Sequence, residues 1–430
     1  MSVSSPPIPS TNPPPTHGRE GSIRLAVVAN VPTPYRVAFH NRLATEVSGL
    51  RLTSVFTHAR TQFVWQMSFP DRIGPVFLAS GEDLVDRRWG RRAIADWKQG
   101  GRVIDTLKRE RINAVISMGY SITMLRAMRW CGKQGIPVFL RGDSNIRCDH
   151  PPSALHRWVK QVVVGRAVAM STGVMPMGEL GRAYFERYGA KGKPTYLVPY
   201  EPDYARFANV ENEAMRRFRA EHGLVEGRRY LLYSGRLAPV KRVDLLLAAF
   251  SEIADERPDV DLLIAGDGEL RQTLTESAKP ADRIKWLGFL DGGELPLAYN
   301  AAEALVVPSD YEPWALVVNE AMGAGLPVIA SDIVGAAHEL VVDGESGWCF
   351  PSGDRAALTD ALRQVTDPDR RSSLRDGVRR HLARWRRDAD PVEGVRQALR
   401  DVGLYEGGGD ADGPAAEPEA MDTPAEVRAP

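Results

Sequence analysis

Along the chain, short runs of apolar residues alternate with longer stretches in which apolar positions recur every three or four residues. Runs of the first kind suit strands covered on both faces, and stretches of the second kind suit helices with one buried stripe. Residues 23–30, 51–57, 114–118, 137–140, 172–175 and 195–198 read as strands. Helices fall between them at 35–47, 91–111, 122–134 and 178–188. Residues 199–229 hold no strong strand and read as a linker with a helix. The alternation then resumes, with strands at 230–234, 261–265, 284–287, 304–307, 327–330 and 347–350. Helices are expected at 243–256, 270–277, 294–301, 314–322, 355–365 and 369–384. Such alternation predicts an α/β protein with parallel sheets covered by helices. Two runs in succession predict two doubly wound, Rossmann-like domains, 23–200 and 201–405, facing across a cleft. In open sheets of this kind, ligands bind at the carboxyl ends of the strands.

Composition narrows the class. A chain of 430 residues, 43% hydrophobic and 26% charged, buries real cores and is not mainly disordered. The ends are exceptions: 1–22 is rich in Pro, Ser and Thr, and 406–430 in Gly, Ala, Pro and acids. Both are expected to be disordered tails. No apolar run reaches the roughly 18 residues that a membrane span needs. Residues 1–22 lack the apolar stretch of a secretory signal. Cys131, Cys148 and Cys349 are widely spaced, which excludes a disulfide framework or zinc ribbon and fits a reducing cytoplasm.

The formal net charge of zero conceals a split. Residues 23–200 carry 27 Lys and Arg against 12 Asp and Glu, while 201–430 carry 27 against 42. The basic half suits an anionic lipid or glycan partner, or simply a solvated surface that attracts the other half. A nucleic-acid partner is not expected, because no recognition motif accompanies the charge.

The chemistry gathers in 230–350. A strand stops at Gly235, which puts Arg236 at its carboxyl end and Lys241 just before a helix. These two cations suit a diphosphate, Arg through its planar fork and Lys as a point charge. Ala265-Gly266-Asp267-Gly268-Glu269 is a glycine-rich turn whose amides can face an anion or a ribose. It matches neither the dinucleotide fingerprint nor a Walker A loop. Ser309 to Met322 places Glu312 and Glu320 on either side of seven residues. Pro313 fits a first helical turn, which would leave the amides of 314–316 free for an anion. On a continuous helix the two glutamates would stand about 12 Å apart. That span suits a nucleoside diphosphate sugar, hydroxyls at each end and phosphates in the middle. Glu320 lies among Val317, Val318, Ala321 and Met322 and is expected to be a partly buried carboxylate with a partner.

Residues 230–350 resemble the C-terminal domain of the family 4, or group 1, retaining glycosyltransferases. The matching motifs are Ser234-Gly235-Arg236-Leu237 with Lys241, Ala-Gly-Asp-Gly-Glu at 265–269, Trp286-Leu-Gly-Phe289, and Glu312-x7-Glu320. Pro-Val-Ile-Ala-Ser-Asp at 327–332 and Val-Asp-Gly-Glu-Ser-Gly at 342–347 follow in family order. Asn30-Val-Pro-Thr-Pro-Tyr-Arg36 resembles the start of one branch, many of whose members act in bacterial surface polysaccharide synthesis. The resemblance implies the GT-B fold of two Rossmann-like domains. It further implies transfer of a sugar from a nucleotide-diphosphate sugar to a glycan or lipid-linked acceptor, with retained anomeric configuration. Arg236 and Lys241 would contact the diphosphate, Glu312 the sugar hydroxyls, and Glu320 the ribose. Gly235, Gly266 and the amides of Ala315 and Leu316 would approach the phosphates and sugar, and Gly288, Phe289 and Leu290 the base. Two departures stand out. Pro313-Trp314-Ala315 replaces the family's Gly-Phe-Gly, adding a methyl where backbone and sugar meet, and 31–34 replaces a glycine-rich loop.

Arg36 and Asp143 are the acceptor-side candidates, the latter from Arg141-Gly-Asp-Ser144, which also suits a plain turn. No metal is expected, since no ligand-spaced cluster occurs, and the nucleotide sugar is a co-substrate rather than a cofactor. The helix within 87–111 mixes Trp89, Ile94, Trp97, Val103 and Leu107 with many cations, and 154–166 is similar. Each can pack on the sheet or lie on an anionic membrane surface. Other readings on the same fold are a non-catalytic scaffold, a nucleotide-sugar epimerase and a sugar phosphorylase.

Overall fold

Leu25, Ala26, Val27, Val28 and Ala29 are at most 1% exposed, as expected of a strand covered on both faces. They belong to the first strand of a computed structural model that describes residues 23–58, 69–78 and 89–406. The expected tails lie almost wholly outside the described residues, as do positions 87 and 88.

The first sheet contains β1 (Ile23–Ala29), β2 (Leu50–Phe56), β3 (Pro75–Phe77), β4 (Ala114–Met118), β5 (Val138–Gly142) and β6 (Gly173–Pro176). Its order is β3-β2-β1-β4-β5-β6, and every ladder is parallel. The second sheet contains β7 (Arg229–Ser234), β8 (Val260–Ala265), β9 (Ile284–Gly288), β10 (Ala304–Val307), β11 (Val328–Ser331) and β12 (Gly347–Phe350). Its order, β12-β11-β10-β7-β8-β9, repeats the first. In each sheet the chain builds outward from a central strand, then returns to build the other side. This gives two switch points, β1/β4 and β7/β10.

The first sheet is covered by α1 (Pro34–Glu46), α2 (Trp89–Arg109), α3 (Ile122–Lys133), α4 (Ala154–Met170) and α5 (Glu179–Phe185). The linker holds two short helices, α6 (Tyr204–Ala208) and α7 (Asn212–Glu221), where the sequence pattern indicated one. Around the second sheet lie α8 (Val243–Ile253), α9 (Arg271–Ser277), α10 (Leu295–Ala301), α11 (Leu316–Gly323), α12 (Gly335–Leu340) and α13 (Arg355–Val365). Two further helices, α14 (Arg371–Asp388) and α15 (Pro391–Asp401), end the described chain.

Three differences from the sequence reading have local causes. Residues 195–198 form no strand; Thr195 makes one isolated bridge to Val174. β3 is only three residues long and was too short for a pattern to show. Helix α15 was not anticipated, although Asp390 caps it through the Val392 and Glu393 amides. It crosses back to the first sheet's side. Arg42 of α1 reaches Asp390 at 2.7 Å, Arg396 donates to the Glu46 carbonyl at 2.6 Å, and Tyr196 donates to Asp401 at 2.7 Å. One apolar cluster accordingly runs from Leu25 and Phe139 through Val395 and Leu399 to Leu305 and Val328.

Candidate functional site

The loops that leave β7 and β10 diverge at the second switch point, where the sheet offers a ligand its strand ends. The glycines expected there converge. Gly235 donates its amide to the Ala265 carbonyl at 2.9 Å, and Gly266 donates to Gly288 at 2.6 Å. A Cβ at Gly266 would lie 1.9 Å from the Gly235 carbonyl oxygen, so only glycine lets β7 and β8 end this close together. After β9, Phe289 is 53% exposed, while Leu290 is buried.

Arg236 follows Gly235, is exposed, and has no ion-pair or hydrogen-bond partner for its side chain among the described residues. Lys241 closes a single 3-10 turn, Pro239–Lys241. Its ammonium donates to the Glu312 carboxylate. Two more links join the same loops: the Asp310 amide donates to the Val240 carbonyl at 2.9 Å, and Arg242 pairs with Asp310 at 2.8 Å. The cation and acid singled out from the sequence thus meet, held by backbone as well as charge.

The helix beyond Glu312 departs from expectation. Pro313 does not occupy its first turn; α11 begins at Leu316. Ala315 sits in the left-handed region, φ 73° and ψ 78°, which an α-helix cannot include. The nearby carbonyls are also engaged elsewhere. Glu312 accepts from the Gly335 amide at 3.3 Å and Trp314 from the Ala336 amide at 2.7 Å. Among the described residues, the amides of Leu316 and Val317 donate to no acceptor, so the open donors lie at the true helix start. The 12 Å spacing of Glu312 and Glu320, which assumed a continuous helix, does not apply. Glu320 lies little more than one turn into α11.

Glu320 is partly buried and accepts a hydrogen bond from the Tyr299 hydroxyl at 2.8 Å, with Tyr299 fully buried on α10. Burial pushes its carboxyl up to about 7, against the opposing pull of that hydrogen bond and of Arg206. The expected partner is Tyr299, 21 residues away and beyond the reach of any local pattern.

On the first domain, Arg36 lies in the first turn of α1 and donates to the Val31 carbonyl at 2.8 Å and the Tyr200 hydroxyl at 3.5 Å. Asp143 is exposed just beyond β5; Arg36 is held above its ordinary value, against the opposing effect of burial, chiefly by Tyr200 and Tyr35, with Asp143 adding to them. Asp143 and Ser144 line a narrow cleft with Pro313 and Trp314 of the second domain. Arg141, two residues earlier, is buried among protein groups: it donates to the carbonyls of Val198 (3.0 Å) and Pro199 (2.8 Å) and packs on Phe39 and Tyr200. Asn145 bridges the domains, donating to the Ile333 carbonyl at 2.9 Å and the Pro313 carbonyl at 3.4 Å. Arg147 donates to the Asp332 carbonyl. Cys148 stands beside Glu312, and burial pushes its thiol up. No sequence signal marked Asn145, Arg147 or Cys148, because only folding brings the turn after β5 against the Glu312 loop. His40 is buried against Ser54 at 2.8 Å and is driven down to about 3 by burial, so it stays neutral. Among the described residues, no group of three or more His, Cys, Asp and Glu is placed to hold a metal ion.

Comparison with known proteins bears on the fold and on the second domain. Residues 214–381 match the family model described as glycosyl transferases group 1. An uncharacterised glycosyltransferase of Methanocaldococcus jannaschii is 34% identical over 175 residues, which are 40% of this chain and 43% of that relative. The chain thus spans under half the length of that relative. Among solved structures, sucrose-phosphate synthase from Thermosynechococcus elongatus superposes with a TM-score of 0.70 at 20% identity, covering 88% of this chain and 99% of that one. HepE of Anabaena, in complex with UDP and glucose, superposes at 0.66 and 16% identity, covering 89% and 100%. The fold is GT-B, and residues 214–381 within its second domain match the group 1 glycosyl transferases.

Proposed function

We propose that this protein transfers a sugar from a nucleoside-diphosphate sugar to a glycan or lipid-linked acceptor, with retention of anomeric configuration. The reading places it in bacterial surface polysaccharide or glycolipid synthesis. The observation that carries it is the meeting of Lys241 with Glu312 at the switch point of the second sheet, with Arg236 following the end of β7. Arg236 and Lys241 take the diphosphate, and Glu312, held by Lys241, accepts from sugar hydroxyls. The amides of Leu316 and Val317 add donors to the phosphate, aided by the helix dipole. Glu320 meets the ribose, with Tyr299 fixing its carboxylate.

The reaction breaks the bond between the anomeric carbon and the β-phosphate oxygen. The acceptor oxygen bonds to the same face of that carbon, and the departing phosphate oxygen takes the acceptor's proton. No carboxylate nucleophile is needed. Arg236, Lys241 and the helix amides stabilise the charge that builds on the leaving diphosphate, without a metal. Contacts through Asn145 and Arg147 bring the domains together and exclude water that would hydrolyse the donor. UDP-sugars are the first donors to try, given the UDP bound in HepE.

Proton NMR of the product tests the mechanism. The same anomeric configuration in donor and product is expected. An inverted product would overturn the front-face displacement.

A further inference from the structure

The first sheet has a switch point of its own, β1/β4, and no residue assigned to the donor lies there. After the loop 30–33, helix α1 starts at the carboxyl edge of this sheet. Its N-cap, Thr33, makes no side-chain cap hydrogen bond, and the amides of Tyr35 and Arg36 donate to no acceptor among the described residues.

Two guanidiniums lie against this helix start. Arg36 belongs to its first turn, and Arg141 is the next-to-last residue of β5. Tyr200 stands between them: Arg36 donates to its hydroxyl at 3.5 Å, and the Arg141 guanidinium lies 5.0 Å from its ring centre. Neither arginine makes an ion pair among the described residues. Arg42, further along the same helix, shows the contrast, being matched by Glu46, Glu201 and Asp390. The carboxylate whose charge reaches both Arg36 and Arg141 is Asp143, which is exposed and pairs with neither. Two cations against one acid leave a positive excess.

The hydrogen bonding is also incomplete. Of the ten buried side-chain N and O atoms without a partner among the described residues, four gather here: Arg36 Nε, Arg141 Nη1, Thr33 Oγ1 and His40 Nε2. Arg141 is fully buried, yet only two of its nitrogens donate, to Val198 and Pro199. Burial, together with the charges of Arg141 and Arg36, drives His40 down to about 3, so the imidazole adds no charge. Unpaired buried cations are costly in a folded protein. A bound oxyanion relieves that cost. A guanidinium fork matches phosphate or carboxylate geometry, and open amides at a helix start favour negative charge.

We propose that the start of α1, with Arg36 and Arg141, binds an oxyanion of the acceptor, a phosphate or a carboxylate. The inference rests on the transferase reading and names the acceptor's chemical class: a molecule bearing negative charge rather than a neutral sugar. Arg36, whose side chain is partly exposed, contacts the oxyanion together with the open amides, and Arg141 adds its charge from behind Tyr200.

Thermal shift of the full chain in excess UDP, which fills the donor site, is the test. Inorganic phosphate and methyl glucuronide are the probes, with ionic strength matched by sodium chloride, and neutral methyl glucoside is the control. At least one of the anions should raise the melting temperature beyond UDP alone, and the one that acts identifies the oxyanion. The glucoside should add nothing. Arg36→Gln should need about tenfold more anion for the same rise, and Arg36→Lys should recover part of the loss. Both variants should keep the rise caused by UDP. A merely structural arginine would shift the melting temperature equally with and without the anion. Four results would overturn the inference: no added rise with either anion, an equal rise with the glucoside, an equal rise in Arg36→Gln, or loss of the UDP rise in Arg36→Gln. The last would assign Arg36 to the donor's phosphates. The rise with UDP reports on the donor site by itself, so failure of the anions alone leaves the transferase reading standing.

Discussion

Lys241 and Glu312 form an ion pair between the loops that leave β7 and β10, the two strands flanking the switch point of the second sheet. Each side chain is partly buried, at 25% and 13% exposure. The ammonium orients the carboxylate and the carboxylate holds the ammonium at the loop junction; on the proposed reading, the donor's phosphate would share that ammonium. Removing either member should therefore damage transfer. We expect Lys241→Ala and Glu312→Gln each to lower transfer by roughly 100-fold or more, the scale seen when one charge-stabilising group is lost. Lys241→Ala should also weaken binding of the free nucleoside diphosphate, whereas Glu312→Gln should leave it nearly intact. Calorimetry with the diphosphate and initial rates with the sugar nucleotide separate the two effects.

Glu320 predicts a pH dependence. Its carboxyl is raised from about 4.5 to about 7, so the folded protein holds this proton more tightly than the unfolded chain. The associated stability is fully present below the unfolded value and is lost as pH rises through about 7. Glu320→Gln keeps a neutral group at all pH values. The variant should gain thermal stability relative to wild type above pH ~7.5, with the gain shrinking below pH ~5. Melting temperatures across that range check it. A constant difference would contradict the assignment.

Ala315 is strained. A left-handed conformation costs a residue with a Cβ about 1 kcal/mol, and glycine escapes that cost. Ala315→Gly should therefore match or exceed wild type in stability, despite the greater freedom of glycine in the unfolded chain. Ala315→Val, branched at Cβ, should lose about 2 kcal/mol or more at the same position. Urea unfolding of the pair distinguishes them.

Arg42 links α1 to the linker and to α15. It pairs with Glu46 at 2.7 Å, with Glu201 at 2.6 Å and with Asp390 at 2.7 Å. Burial pushes the Glu201 carboxyl up to about 7 even with Arg42 beside it. Arg42→Ala would leave that buried acid short of a partner, which typically costs about 3 kcal/mol when the acid is ionised. The loss should be largest at about pH 8 and smaller near pH ~5, where Glu201 is protonated with or without Arg42. Unfolding at the two pH values checks the direction.

The sheets were legible because their strands are continuous apolar runs, most of them closed by a glycine or polar turn. The positions of Arg236 after a strand end, Lys241 before a helix and Glu312 in a loop were legible because these are local facts. The start of α11 was not. It depends on Ala315 turning left-handed and on Gly335 and Ala336 capturing the carbonyls of Glu312 and Trp314, partners about twenty residues away. Arg141 illustrates the opposite failure. Arg-Gly-Asp-Ser reads as a polar turn, yet the arginine is 1% exposed because Val198 and Pro199 supply carbonyls that sequence spacing cannot show. Helix α15 was within reach: Val392, Val395, Ala398 and Leu399 have helical spacing after an Asp-Pro start.

On the proposed reading, the second domain holds a nucleoside diphosphate at Arg236, Lys241 and Glu320. The most direct measurement is thermal shift of wild type and Glu320→Ala with UDP, GDP, ADP and dTDP and their common sugars, without added metal. A ligand that binds only the folded state raises the melting temperature. A clear rise with one nucleotide family, reduced in Glu320→Ala, is expected. No rise with any nucleotide, or an equal rise in the variant, would contradict it.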